Sequence, residues 1–202
     1  MIRKNSYKAS SNPYIIEDGE HIDIFSKLIE KRTIFLNTEI DSDSASIIKA
    51  QLMYLDSISH ADITLLIDSP GGDIYTGLGI IDTMEWIKSD VSTVNIGLAA
   101  SMAALILACG TKGKRKSFKR SRVMIHQPLS YSGDSFRQAT DIEIDAKEIV
   151  SLKKELIQIL VDTTKKSKDE IKVDLERDYW LTAIDSMNYG IIDKILDKKD
   201  DK

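Results

Sequence analysis

Ser101 and His126, 25 residues apart, are the side chains in this sequence best suited to do chemistry together. A serine hydroxyl is a weak nucleophile until a base takes its proton, and an imidazole within hydrogen-bond reach is the commonest such base. Ser101 falls where the β-rich run Val91–Ile96 gives way to the helix formers Ala103–Ala108, so it stands at the first turn of a buried helix. Unpaired N–H groups and partial positive charge collect at a helix start, which suits a site where an oxyanion develops. Serine is equally a favoured N-cap, and that structural role competes with the nucleophilic one. His126 follows the apolar run Val123–Ile125 and precedes Pro128, as a residue at a rigid strand end would. A lone histidine there could also be a satisfied structural group. A carboxylate to orient the imidazole would complete an acyl-transfer centre. Asp178, just before the apolar run Tyr179–Leu181, is a candidate, with Asp174 as its rival; either could be only a turn residue or a cap.

Upstream, Ser69-Pro70-Gly71-Gly72 reads first as a tight turn, since glycine tolerates positive φ and proline presets its own. A residue without Cβ also lets a substrate approach the backbone, whose N–H can donate to an oxyanion. The two readings are compatible.

These residues must be positioned by alternating strands and helices. Apolar residues Ile24, Phe25, Leu28 and Ile29 recur at helical spacing, and Thr33–Leu36 reads as a strand. Residues Asp41–Ser44 offer N-caps for a helix carrying Ile47, Ile48, Leu52 and Leu55 on one face. Ile63–Ile67 is a continuous apolar run, as expected of a strand buried on both faces. A helix after Gly72 carries Leu78, Ile81, Met84 and Ile87, and Val91–Ile96 is the next strand. This alternation predicts an α/β fold with parallel strands and covering helices. The basic stretch Lys112–Arg122 has one aromatic residue, Phe118, so it reads as a solvated hairpin rather than a base-stacking surface. From Phe136 to about Asp162, apolar Ile142, Ala146, Ile149, Leu152, Leu156 and Leu160 recur without Gly or Pro. Such a helix is roughly 40 Å long and should project. Further apolar residues at Ile144, Val150, Ile157, Ile159 and Val161 suggest burial against a second chain. Ser167–Glu170 has capping-box spacing, Thr182–Asp185 caps a further helix, and Gly190 ends it.

The 202 residues suffice for one domain with a sizeable core, and a hydrophobic content of 42% with 30% charged residues is ordinary for a globular chain. A net charge of −4 argues against nucleic acid as the main partner. The single cysteine, Cys109, cannot form an internal disulfide and should be a buried helical thiol, which fits a reducing compartment. Neither a secretory signal nor a membrane span is apparent, and the reading is a cytoplasmic protein whose residues 1–14 form a mobile segment.

Taken together, Gly97–Met102 and Ser121–Pro128 resemble the two catalytic motifs of the ClpP family, the proteolytic subunits of ATP-dependent Clp proteases. Asp68-Ser69-Pro70-Gly71-Gly72, Glu176-Arg177-Asp178 and Tyr189-Gly190 match in the family's order, and the resemblance covers roughly residues 15–195. It implies a single domain over residues 1–202 with the crotonase-like fold, and a projecting handle within about residues 131–166. It selects Asp178 over Asp174, giving Ser101 as nucleophile, His126 as general base and then acid, and Asp178 as the orienting acid. Gly72 and Met102 would supply the oxyanion N–H groups. It further implies two stacked rings of seven subunits, unfolded polypeptide as substrate, and an AAA+ unfoldase of the ClpX, ClpA or ClpC type. The unfoldase uses the ATP, so the subunit itself needs no cofactor and no metal. A docking pocket for that partner would involve Tyr54, Thr64, Leu66 and Trp86, with Thr64 and Leu66 standing where many members carry tyrosines. Two other readings are a crotonase-type acyl-CoA enzyme, which shares the fold and an oxyanion hole, and a non-catalytic ring subunit.

Overall fold

The computed structural model describes residues 13–17, 20–129 and 138–197. A small antiparallel hairpin, β1 (Tyr14–Glu17) and β2 (Glu20–Asp23), leads into α1 (Ile24–Glu30). Most of the expected mobile segment lies outside the described residues, but its last residue, Tyr14, is in β1 and pairs with Asp23. Next come β3 (Thr33–Leu36), α2 (Ser42–Ile58), β4 (Ile63–Ser69), α3 (Ile74–Trp86) and β5 (Val91–Ala100). The strands β3, β4 and β5 are parallel, as the strand–helix alternation requires. Asp41 caps α2 with a reciprocal capping box to Ser44, and Asp73 caps α3 by accepting from the Thr76 amide.

Two expectations about packing change here. Ile47 is exposed, and Ala45 joins Ile48, Leu52 and Leu55 on the buried face of α2. In β4 the residues alternate: Ile63, Leu65 and Ile67 are buried, while Thr64 and Leu66 are only half-covered by this chain. One face of β4 therefore carries the core and the other lies nearer solvent.

Beyond β5 the chain forms α4 (Met102–Ala108), β6 (Lys116–Phe118) and β7 (Arg122–Ile125). The basic stretch is not a hairpin. β6 and β7 do not pair with one another; each pairs parallel with β5, at Val94–Asn95 and at Leu98–Ala100 respectively. Nor is it uniformly solvated. Arg115 is buried and makes a forked contact with Asp193, Nη2 to Oδ1 at 2.6 Å and Nε to Oδ2 at 2.9 Å. Its remaining nitrogen, Nη1, donates to the carbonyls of Ala108 and Thr163. A guanidinium can satisfy four acceptors in this way, which makes its burial tolerable. Lys114 pairs with Asp62 and Asp90, so the charge of this stretch is partly spent on the chain itself.

The longest helix, α5 (Ala139–Thr163), begins inside the predicted range. Its residues 139–148 are exposed, including Ile142 and Ile144, whereas Leu152, Leu156, Ile157 and Leu160 are buried. The buried side chains of the helix thus lie in its second half, while in the first half Glu148 accepts a hydrogen bond from Tyr75 Oη at 3.0 Å. Then follow α6 (Lys168–Asp174), β8 (Tyr179–Thr182), α7 (Ala183–Tyr189) and β9 (Lys194–Leu196), which pairs parallel with β6 at the sheet edge. The predicted capping box at Ser167 is present, and the predicted cap at Thr182 is a capping box as well. Cys109 lies just past α4 rather than within it, half-buried, and burial pushes its thiol up to about 12.

Burial draws the Asp193 carboxyl upward, but hydrogen bonds from Arg115 and from the Gly113 amide outweigh it and hold it below the usual carboxylate value. The pair's contribution is therefore full above about pH 4 and is lost as pH falls and Asp193 protonates. Replacing Arg115 by Met removes the guanidinium from one carboxylate, which keeps only backbone amide donors at Oδ2, and from two carbonyls. Denaturant titration at neutral pH should show a loss of roughly 3 kcal/mol. The difference between Arg115→Met and the unsubstituted protein should narrow when the titration is repeated at acidic pH.

Candidate active site

The pairing of β7 brings distant residues to one sheet edge. β7 runs parallel to β5, with Ala100 opposite Met124, and antiparallel to β8, with Ile125 opposite Tyr179. Ser101 follows β5, His126 follows β7, and Asp178 precedes β8, so all three emerge at the same edge. The Ser101 amide donates to the Met124 carbonyl at 2.8 Å and fixes the first two strands together. His126 Nε2 is 2.8 Å from Ser101 Oγ, and His126 Nδ1 is 3.3 Å from Asp178 Oδ1. The imidazole is mostly covered, at 16% exposure, while the carboxylate is 61% exposed.

Ser101 does not cap α4. It sits at the N-cap position, but its side chain makes no capping hydrogen bond. Its backbone has φ 55° and ψ −126°, a conformation that costs a residue with a Cβ on the order of 1–3 kcal/mol. The strain turns the chain sharply between strand and helix and aims Oγ at the imidazole. Asp174, the rival carboxylate, is engaged elsewhere and accepts a hydrogen bond from Tyr189 Oη at 2.9 Å.

The glycine turn packs directly against this elbow. Gly71 has φ +90°, and a Cβ there would stand 2.6 Å from the Ala100 carbonyl oxygen and 2.7 Å from Ser101 Cβ. Gly72 has φ +153°, and a Cβ there would collide with the backbone of Ile40. A bridge from Ile40 holds the turn through Ile40 N–H to the Gly71 carbonyl and Asp73 N–H to the Ile40 carbonyl. That pattern leaves the Gly72 N–H out of the bridge. Among the described residues neither the Gly72 amide nor the Met102 amide donates to a protein acceptor. Both residues line a cleft of about 600 Å³ together with Ser101, His126 and the apolar side chains Ile74, Leu105, Met124 and Leu129.

The four expected docking residues are not gathered by this chain into one cavity. Tyr54 lines a recess with Ile29, Arg32, Leu55 and Ile58, and Thr64, Leu66 and Trp86 are not part of its lining. Tyr54 and Trp86 are exposed, at 59% and 75%. Sequence reasoning gave no role to Gln127, Lys153 and Glu176, which are hydrogen-bonded to one another close to His126 and Asp178 in the chain. Gln127 lies within the matched segment Ser121–Pro128 and Glu176 within Glu176-Arg177-Asp178, whereas Lys153 carries no signal beyond its place on a helix pattern. Among the described residues no group of His, Cys, Asp and Glu is arranged to hold a metal, and no helix is long and apolar enough to cross a membrane.

Fold and site together define an α/β protein with a serine, a histidine and a carboxylate in line beside a cleft with free backbone amides. A sequence model of the Clp protease family matches residues 17–199. Proteins named ATP-dependent Clp protease proteolytic subunit are similar along nearly the whole chain. The protein of Bacteroides fragilis is 50% identical over 193 residues, covering 93% of this chain and 92% of its own. That of Bacteroides thetaiotaomicron is 49% identical, covering 93% and 86%. A protein of Synechococcus named proteolytic subunit 2 is 49% identical, covering 93% and 96%. The chain belongs to the Clp protease family. It is thus a protease, and its α/β sheet of mostly parallel strands is the expected fold.

A methyl group at Gly72 would collide with the backbone of Ile40, a buried core residue, and so disturb both the cleft wall and its anchorage to the core. If the Gly72 amide serves an oxyanion, Gly72→Ala, which keeps that N–H but displaces it, should cut peptide hydrolysis by roughly 100-fold. The melting temperature should fall as well, because the strained turn is bridged to buried Ile40.

Proposed function

We propose that the chain is the serine endopeptidase subunit of an ATP-dependent Clp protease. The observation that carries this reading is the 2.8 Å approach of Ser101 Oγ to His126 Nε2, with Asp178 on the opposite ring nitrogen. With its proton on Nδ1, facing the carboxylate, the imidazole presents a lone pair on Nε2 to the serine hydroxyl. As Oγ bonds to the scissile carbonyl carbon, its proton passes to Nε2, and Asp178 stabilises the imidazolium. The carbonyl oxygen gains the negative charge, which the N–H groups of Gly72 and Met102 receive. Nε2 then returns the proton to the leaving amine, and an acyl ester on Ser101 remains. Water attacks that ester with His126 again as base, releasing the carboxylic acid and restoring the serine.

The apolar cleft lining suits extended segments of unfolded polypeptide. Exposed Ile142, Ile144 and Val150 on α5 support a further chain packed against that helix, as two stacked rings of seven would provide. An AAA+ unfoldase of the ClpX, ClpA or ClpC type would deliver the substrate and consume the ATP in the cytoplasm. The exposed aromatic rings of Tyr54 and Trp86, with Thr64 and Leu66, would contribute to its docking across neighbouring subunits. The close serine–imidazole contact speaks against a non-catalytic ring subunit.

A serine-reactive fluorophosphonate should label Ser101, as located by mass spectrometry. Ser101→Ala should remove both labelling and turnover, by at least roughly 1,000-fold, while the oligomer seen by sedimentation is unchanged. Full turnover in that variant would reject the assignment, and acyl-CoA turnover by it would favour the crotonase-type reading. Asp178→Asn should lower turnover roughly 100- to 10,000-fold, because the imidazole loses its oriented tautomer.

A further inference from the structure

The ladder between β7 and β8 ends at Ile125 and Tyr179, so His126 and Asp178 both lie one residue beyond it. What fixes their separation is the clamp just past the ladder. The Gln127 amide donates to the Leu175 carbonyl at 2.7 Å, and its side-chain Nε2 donates to the Glu176 carbonyl at 3.1 Å. Arg177 Nη1 donates to that same carbonyl at 2.8 Å. Gln127 adjoins the imidazole, and Leu175–Arg177 lead into the carboxylate.

Lys153, on α5, reaches both sides of this clamp. Its ammonium donates to Gln127 Oε1 at 2.9 Å and to Glu176 Oε1 at 2.7 Å. An ammonium can only donate, so it dictates which end of the Gln127 amide is oxygen. Nε2 is thereby turned toward the Glu176 carbonyl. Without the ammonium, Oε1 loses this donor, and among the described bonds only the longer one from Nε2 to the Glu176 carbonyl, at 3.1 Å, still orients the amide. The lysine is about one-quarter exposed, enough covered for its bonds to hold against water. Hydrogen bonding to Lys153 and its charge also hold the Glu176 carboxyl below its ordinary value.

We propose that Lys153 is a positioning residue for the hydrolytic reaction: by orienting the Gln127 amide and neutralising Glu176, it sets the distance between His126 and Asp178. This rests on the serine endopeptidase reading above. Lys153 touches neither substrate nor the reacting atoms, and its influence passes through Gln127 and the Glu176–Asp178 segment.

The test is steady-state hydrolysis of a short fluorogenic peptide by the intact oligomer, with assembly followed by sedimentation. Lys153→Met keeps the stem and removes the donor. It should lower kcat roughly 10- to 100-fold with KM within about twofold, as expected when a reacting group is misplaced while the cleft persists. Lys153→Arg, whose guanidinium can span both acceptors, should recover most of the loss. Wild-type kcat in Lys153→Met, a loss confined to KM, or failure of arginine to rescue would each overturn the proposal. If Lys153→Met does not assemble, Glu176→Gln decides instead: a selective fall in kcat supports the proposal and an unchanged kcat rejects it. Failure of the underlying reading shows separately, as turnover that survives Ser101→Ala.

Discussion

Strand β7 is the constraint on which the site depends, because it pairs in opposite senses on its two sides. Parallel pairing with β5 sends Ser101 and His126 out at the same edge, and antiparallel pairing with β8 brings the start of that strand there too. Side chains alternate between faces with a period of two, so a slip of one residue would turn the imidazole away from the hydroxyl. Burial of Val123 and Ile125 on one face, at 0% exposure, fixes the register against such a slip. The core contacts of a short strand therefore set the distance between Ser101 Oγ and His126 Nε2.

The neighbouring elbow shows where stability is spent. Ser101 occupies a backbone region usually left to glycine, and two glycines opposite it are pressed so close that neither could carry a side chain. The strain persists because surrounding groups over-determine it: the Ser101 amide is tied to Met124, Ser69 Oγ donates to the Thr38 carbonyl, and α4 is entirely buried beyond. Asp68 contributes from the same strand end by accepting from the Leu98 amide, where β4 and β5 shift register. The rigid frame lies under the serine, whereas the Asp178 carboxylate on the far side of the imidazole is largely wetted.

Much of this was legible in the sequence, for identifiable reasons. Capping boxes, the Gly71-Gly72 turn and the apolar spacing of α2, α3 and α5 are local signals, and their elements appear where the spacing puts them. The candidacy of Ser101 and His126 followed from strand ends. The choice of Asp178 over Asp174 did not, since it depends on an antiparallel pairing between segments more than fifty residues apart. Arg115 was misread because charge near charge suggests solvent, and its partner, Asp193, is almost eighty residues away. Lys153 was hidden for the same reason: on a helix pattern it is one polar residue among several, and only the packed chain shows what it reaches.

The forked contact between Arg115 and Asp193 also bears on how the protein is made. During synthesis the middle of the sheet leaves the ribosome well before residue 193, so the guanidinium has no counter-charge while most of the chain is already present. Strand β8 and the carboxylate before it emerge only shortly before. A nascent chain that has not yet reached Asp178 consequently has neither β8 along the edge of β7 nor the carboxylate that faces His126.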